Sequence, residues 1–127
     1  IQSVDSIDLL KRINHHAEQN NRQINCLIQI KIAQELSKFG FDKDTARQLF
    51  CSNYLTEYPS INICGIMGMA TFTNNKEQIK KEFQALRVMK NLIKQQNSIL
   101  SIGMSHDYEI AVKSGSNMIR VGSAIFQ

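Results

Sequence analysis

Residues 100–126 read LSIGMSHDYEIAVKSGSNMIRVGSAIF, two apolar runs around an amphipathic segment. With Ile99 in front, ILSIGMS (99–105) is an apolar, strand-like run. A short helix is expected over 106–114, closed at Gly115, the residue type best suited to a left-handed helix cap. MIRVG (118–122) then reads as another strand. Strand, helix and strand in this order form a parallel βα unit, because parallel strands need a crossover connection.

The same rhythm runs outward to the N-terminus. Helical spacing of Ile79, Phe83, Leu86, Leu92 and Ile93 predicts a long helix over 76–96, with charge on its opposite side. ICGIMGMA (63–70) reads as a strand whose two glycines suggest close approach by another backbone or a ligand. Residues 43–56 are expected to be helical behind Asp42, with Pro59 ending the unit. CLIQIKI (26–32) is another strand, and SKFGF (37–41) a polar, glycine-containing loop after it. Residues 5–19 place Ile7, Leu10, Ile13 and Ala17 at helical spacing, with Ser3 and Asp5 as capping candidates. The order is a helix followed by β-α-β-α-β-α-β, with right-handed crossovers. Four such strands make half of an eight-stranded βα barrel or most of a small open sheet.

Composition narrows the class. The chain has 127 residues, 43% hydrophobic and 20% charged, with six Gly and one Pro. That is globular, neither disordered nor collagen-like, and no larger than one domain. No apolar run approaches the roughly 20 residues of a membrane-spanning helix. The start, IQSVDSIDLL, lacks the basic and apolar regions of a signal peptide, and Ile1 in place of Met hints at natural sequence upstream. Cys26, Cys51 and Cys64 form no CxxC pair. They read as free thiols in a reducing cytoplasm, not a disulfide framework or zinc site. The net charge of +4 raises nucleic-acid binding. However, Lys76, Lys80, Lys81, Lys90 and Lys94 alternate with Glu77 and Glu82 as on a solvated helix face, and no nucleic-acid partner is expected.

The chemistry concentrates at the ends of the last two strands. Gly103 and Ser105 close one strand and open a helix, and Gly122 and Ser123 close the next. A helix start offers free amides, Gly admits close approach, and Ser donates a hydroxyl, which together suit a phosphate. Ordinary turns use the same residues, and Ser105 as a simple helix cap remains open. Arg120 is a cation within an apolar strand, costly unless paired. Alternation puts it on one face with Gly122, either toward a ligand inside a barrel or into solvent on an edge strand. It likewise groups Leu27, Gln29 and Lys31, and Gly65, Met67 and Met69. His15 and His16 read as solvated and His106 as a turn histidine. Asp107 and Glu109 suit the first turn of a helix.

IQSVDS, NCLIQIKIAQE, SKFGF, CGIMGMAT and the closing block 100–126 together resemble the pyridoxal-phosphate homeostasis protein family, from near Ser3 to Phe126. The resemblance implies a single βα barrel similar to the N-terminal domain of alanine racemase. It implies a carrier and regulator of pyridoxal 5'-phosphate (PLP) in vitamin B6 and amino-acid homeostasis, with no established turnover. The cofactor phosphate would rest on Gly103, Met104, Ser105, Gly122 and Ser123. Arg120 would face the pyridine nitrogen, and Ser101 and Met67 would line the pocket. His106 stands where the family often has an acidic residue, and Ser123 where it often has Thr.

Family members are longer. The segment carrying their Schiff-base lysine has no counterpart here, and Lys31 lies on the wrong strand. Residues 1–127 therefore resemble the C-terminal portion of the barrel, an α/β half-barrel of alternating helices and parallel strands. The full-length family is expected to be monomeric and cytoplasmic. A half-barrel, with open strand edges, is expected to associate or be unstable. The competing readings are a PLP-dependent amino-acid racemase or other phosphate-handling barrel enzyme, and a fragment that binds no ligand.

Overall fold

The computed structural model describes residues 1–35 and 39–126. Ser37 and Lys38 of the SKFGF loop lie outside the described residues. The elements are α1 (Ile7–Gln19), β1 (Ile24–Gln29), α2 (Lys43–Cys51), α3 (Tyr54–Glu57), β2 (Ile61–Met67), α4 (Lys76–Lys90), β3 (Ile99–Met104), α5 (Tyr108–Lys113) and β4 (Met118–Arg120). The strands form one sheet in the order β1-β2-β3-β4, and every pairing is parallel. Residues 1–4 lie beside β1, with an isolated parallel bridge between Val4 and Ile28. The Leu27 amide donates to Ile1 O, and the Gln29 amide to Val4 O.

Local chemistry explains the boundaries. Ser6, not Ser3 or Asp5, caps α1: its hydroxyl accepts from the Leu9 amide at 3.2 Å. Asp42 caps α2 by accepting from the Thr45 amide at 2.9 Å. The segment expected as one helix over 43–56 is two, because the Ser52 hydroxyl turns back onto Leu49 O at 2.7 Å and the chain re-enters at Tyr54. α4 stops at Lys90, short of 96. Leu92 and Ile93 continue as tighter turns onto Met89 and Lys90 and still pack on the core. β1 ends at Gln29, where Phe41 bridges to Ile30, so Lys31 is exposed and does not extend the strand.

The main core lies between the sheet and the helices. Cys26, Ile28 and Ile30, Ile61, Ile63 and Ile66, and Leu100 and Ile102 meet Leu10, Phe50, Phe83, Leu86 and Ala111 there. The opposite sheet face carries Leu27, Gln29, Met67 and Ser101, also buried. Two bulges set which residues reach that face. Cys64 is the extra residue where Ile63 pairs with Cys26 but Gly65 with Leu27. Gly65 marks close backbone approach, since a Cβ there would lie 2.3 Å from Ile99 O. Between β3 and β4, Ser101 pairs with Met118 and Met104 with Arg120, and within the bulge Gly103 has φ +104°.

Candidate functional site

The site is built where β2, β3 and β4 end. Arg120 is the last residue of β4 and is half-buried on the sheet face opposite Ile119. Its guanidinium reaches β2's end, where Nη2 donates to Gly68 O at 2.9 Å. Its Nε is buried without a hydrogen-bond partner. Burial pushes the Arg120 pKa down from its ordinary value, and the nearby charge of Asp107 pulls it back up. Of the two orientations open in the sequence, the solvated edge is thereby set aside: Arg120 points across the sheet.

Ser101, fully buried on β3, offers a second unpartnered polar atom, its Oγ. Met67 is its pairing partner on β2, and the Gly68 amide donates to Ser101 O at 3.1 Å. Met67, Ser101 and the Arg120 guanidinium are thus joined through adjacent strand ends. Buried polar atoms without partners are uncommon and call for an explanation such as a catalytic or binding role.

The β3–α5 turn and the turn after β4 meet at one oxygen. Ser105 Oγ accepts from the amides of Gly122 at 3.1 Å and Ala124 at 3.2 Å. Ser105 is therefore not a helix cap. α5 is six residues long, and the amides that converge on Ser105 Oγ come from the turn after β4. Gly122 is exposed, and a Cβ there would meet nothing within 4 Å. Gly103 has a different job: a Cβ would lie 2.6 Å from Ala111 Cβ, so it admits α5 against β3. The Met104 amide is committed to Asp107 Oδ1 at 2.6 Å. Ser123 is exposed beside Gly122.

Asp107 was not legible as part of this site. Its position after the strand marks a helix start, but the residue is 3% exposed and its carboxylate turns inward to fix the 104–107 turn. Gly68 O and the Ala124 amide were also missed, because backbone groups leave no residue-type signal. His106 sits at the rim, its ring edge-to-face on Phe72 at 5.1 Å and its Nε2 3.4 Å from Asp107 Oδ2. Gln29 donates to Phe39 O at 3.0 Å and closes a loop end. Among the described residues no group of three or more His, Cys, Asp or Glu is placed to hold a metal ion. No helix of the described residues is long and apolar enough to cross a membrane.

Known proteins share this architecture. The chain is 29% identical to the pyridoxal phosphate homeostasis protein of Aquifex aeolicus, over 99% of this chain and 56% of that protein. It is similar to PipY of Synechococcus elongatus, solved with PLP bound, with a TM-score of 0.82 and 29% identity over all of this chain and 60% of PipY. Alanine racemase from Corynebacterium glutamicum shares the fold, with a TM-score of 0.75 at 18% identity over 99% of this chain and 36% of the enzyme. The chain thus spans a little over half the length of the homeostasis proteins it matches. The family model for the alanine racemase N-terminal domain matches residues 1–127, so the chain belongs to that family.

Proposed function

We propose that this chain is the phosphate- and ring-holding portion of a PLP carrier acting in vitamin B6 homeostasis in the cytoplasm. It would form the C-terminal part of a single barrel. One observation carries the reading: the Gly122 and Ala124 amides converge on Ser105 Oγ, and Gly122 lies two residues from the half-buried Arg120, whose Nε is buried and unpartnered. The names and the PLP-bound structure among its relatives support the same ligand.

The donor set fits such a cofactor. Two backbone amides already directed at one oxygen can bind a phosphate oxygen, and the Ser105 hydroxyl can turn to donate. Gly122 leaves the approach open on that side. Arg120 Nε and Ser101 Oγ supply polar atoms for the ring end. The Met104 amide would join the cradle on leaving Asp107 Oδ1, as the Gly122 and Ala124 amides would on leaving Ser105 Oγ.

Bound PLP supplies an aldehyde and an electron-accepting pyridine ring. The protein residues bias what the ring does. A guanidinium beside the ring nitrogen disfavours its protonation by like-charge repulsion, which weakens the ring as an electron sink. Of the titratable groups near it, Asp107 is held by the Met104 amide, and His106 rests on Phe72 at the rim. This arrangement favours holding and releasing the cofactor over turnover.

Calorimetric titration with pyridoxine 5'-phosphate tests the reading, because its alcohol cannot react with surface lysines. The expected result is saturable one-to-one binding, weaker for pyridoxine by about tenfold or more through loss of charge-assisted hydrogen bonds. Equal affinity for the two compounds would overturn the phosphate cradle.

A further inference from the structure

A groove on the outer surface runs between α4 and α5, remote from the sheet face that carries Arg120. Lys76, Lys80, Lys81 and Arg87 of α4 and Lys113 of α5 line it, with Glu109 the one acidic lining residue among the described residues. Lys80 also pairs with Glu77 at 2.9 Å, both exposed. The charge of the lining residues is decisive. The chain carries 15 Lys and Arg against 11 Asp and Glu, a net +4. The groove's five cations and one carboxylate carry that same +4, so the other ten basic and ten acidic residues cancel. Because Glu77 offsets Lys80, the concavity keeps a net +3, most of the chain's excess positive charge.

We propose that this groove docks an acidic polypeptide segment of a partner protein. Charge complementarity favours an acidic ligand, and the shape of the groove selects its class. Positions 76, 80, 84 and 87 share one helix face, and Lys76 and Lys80 are about 6 Å apart along the axis. Alternate residues of an extended peptide are about 6.6 Å apart, so acidic side chains at every second position match that step. Ile110 gives the lining an apolar element, and among the described residues no aromatic ring lines the groove to stack a base. A concave cleft between helices also suits a single chain better than a flat lipid surface. The proposal is independent of PLP binding.

Fluorescence anisotropy with a labelled ten-residue polyglutamate peptide tests it, at low salt and near physiological salt. Reversing Lys76, Lys80 and Lys113 to Glu is expected to weaken binding by about tenfold or more. Reversing Lys11, Lys43 and Arg47, which changes net charge equally, is expected to change it by less than about twofold. A Gln triple at the groove positions serves if the Glu triple unfolds, with a smaller loss in the same direction. Equal loss from both sets of reversals, or no peptide binding at low salt, would overturn the proposal. So would tighter binding of an oligothymidylate of equal charge or of phosphatidylserine vesicles, which would assign the groove to nucleic acid or membrane.

Discussion

Ser105 Oγ lies 3.1 Å from the Gly122 amide nitrogen and accepts its hydrogen, joining residues seventeen apart in sequence at the ends of neighbouring strands. The Ala124 amide donates to the same oxygen at 3.2 Å. The contact closes the β3–α5 turn onto the turn after β4. It presents two amides and a hydroxyl at one place.

Replacing Ser105 by Ala removes that oxygen. Gly122 and Ala124 are exposed, so water can serve their amides, and stability should fall by no more than about 1 kcal/mol. Exchange of the two amides should accelerate, while affinity for pyridoxine 5'-phosphate drops by about tenfold. Hydrogen-exchange NMR and calorimetry on one preparation separate the effects. Full retention of affinity would remove Ser105 from the cradle.

The glycines at the two strand ends should behave oppositely. Gly103→Ala forces a Cβ to 2.6 Å from Ala111 Cβ at a φ of +104°, and should cost about 2 kcal/mol or more by strain and overpacking. Gly122→Ala meets nothing within 4 Å. It should leave the melting temperature within about 1–2 °C but narrow the approach to the cradle. Denaturation and ligand titration of both variants give the comparison.

Asp107 should act through geometry. Asp107→Asn keeps an acceptor for the Met104 amide, whereas Asp107→Ala orphans an amide now bonded at 2.6 Å. The Ala variant should lose about 1–3 kcal/mol and the Asn variant less. If Asp107 positions Ser105, the Ala variant should also shift the Gly122 and Ala124 amide resonances as Ser105→Ala does. Unmoved resonances in a folded Asp107→Ala protein would confine Asp107 to its own turn.

The βα alternation was readable because parallel strands buried on both faces demand apolar runs separated by amphipathic helices. Arg120 stood out because a cation in an apolar strand needs a reason. The bulges at Cys64 and Gly103 were hidden, since a register shift depends on the partner strand and not on the residue itself. The apolar pattern through Leu92 and Ile93 overstated α4 for a related reason. Both residues pack on the core from tight turns, so burial continued after the helix had ended. Ser105 was read as a helix cap or a phosphate donor, and its present partners are amides across the site. Asp107 looked like a helix-start charge because sequence shows position, not the direction in which a carboxylate turns.

Helix α2 provides a pH test. Hydrogen bonds from the Thr45 side chain and backbone hold the Asp42 carboxyl below its ordinary value of 3.8. A carboxyl whose folded pKa is depressed contributes stability above its unfolded pKa and loses it as pH falls through the folded one. Asp42→Ala should therefore be less stable than the parent at neutral pH, and the gap should narrow below about pH 4. Thermal melts from pH 7 down to pH 2 measure it. A gap that stayed constant would mean the cap works without its charge.

The most direct test of the central claim is an amide-resolved NMR titration with pyridoxine 5'-phosphate on the parent and on Arg120→Met. The Gly122 and Ala124 resonances should move together and saturate. In Arg120→Met they should still move with phosphate, while the ring end loses its contact with residue 120 and affinity falls. Shifts spread over the exposed lysines, with Gly122 and Ala124 unmoved, would contradict the cradle and with it the carrier reading.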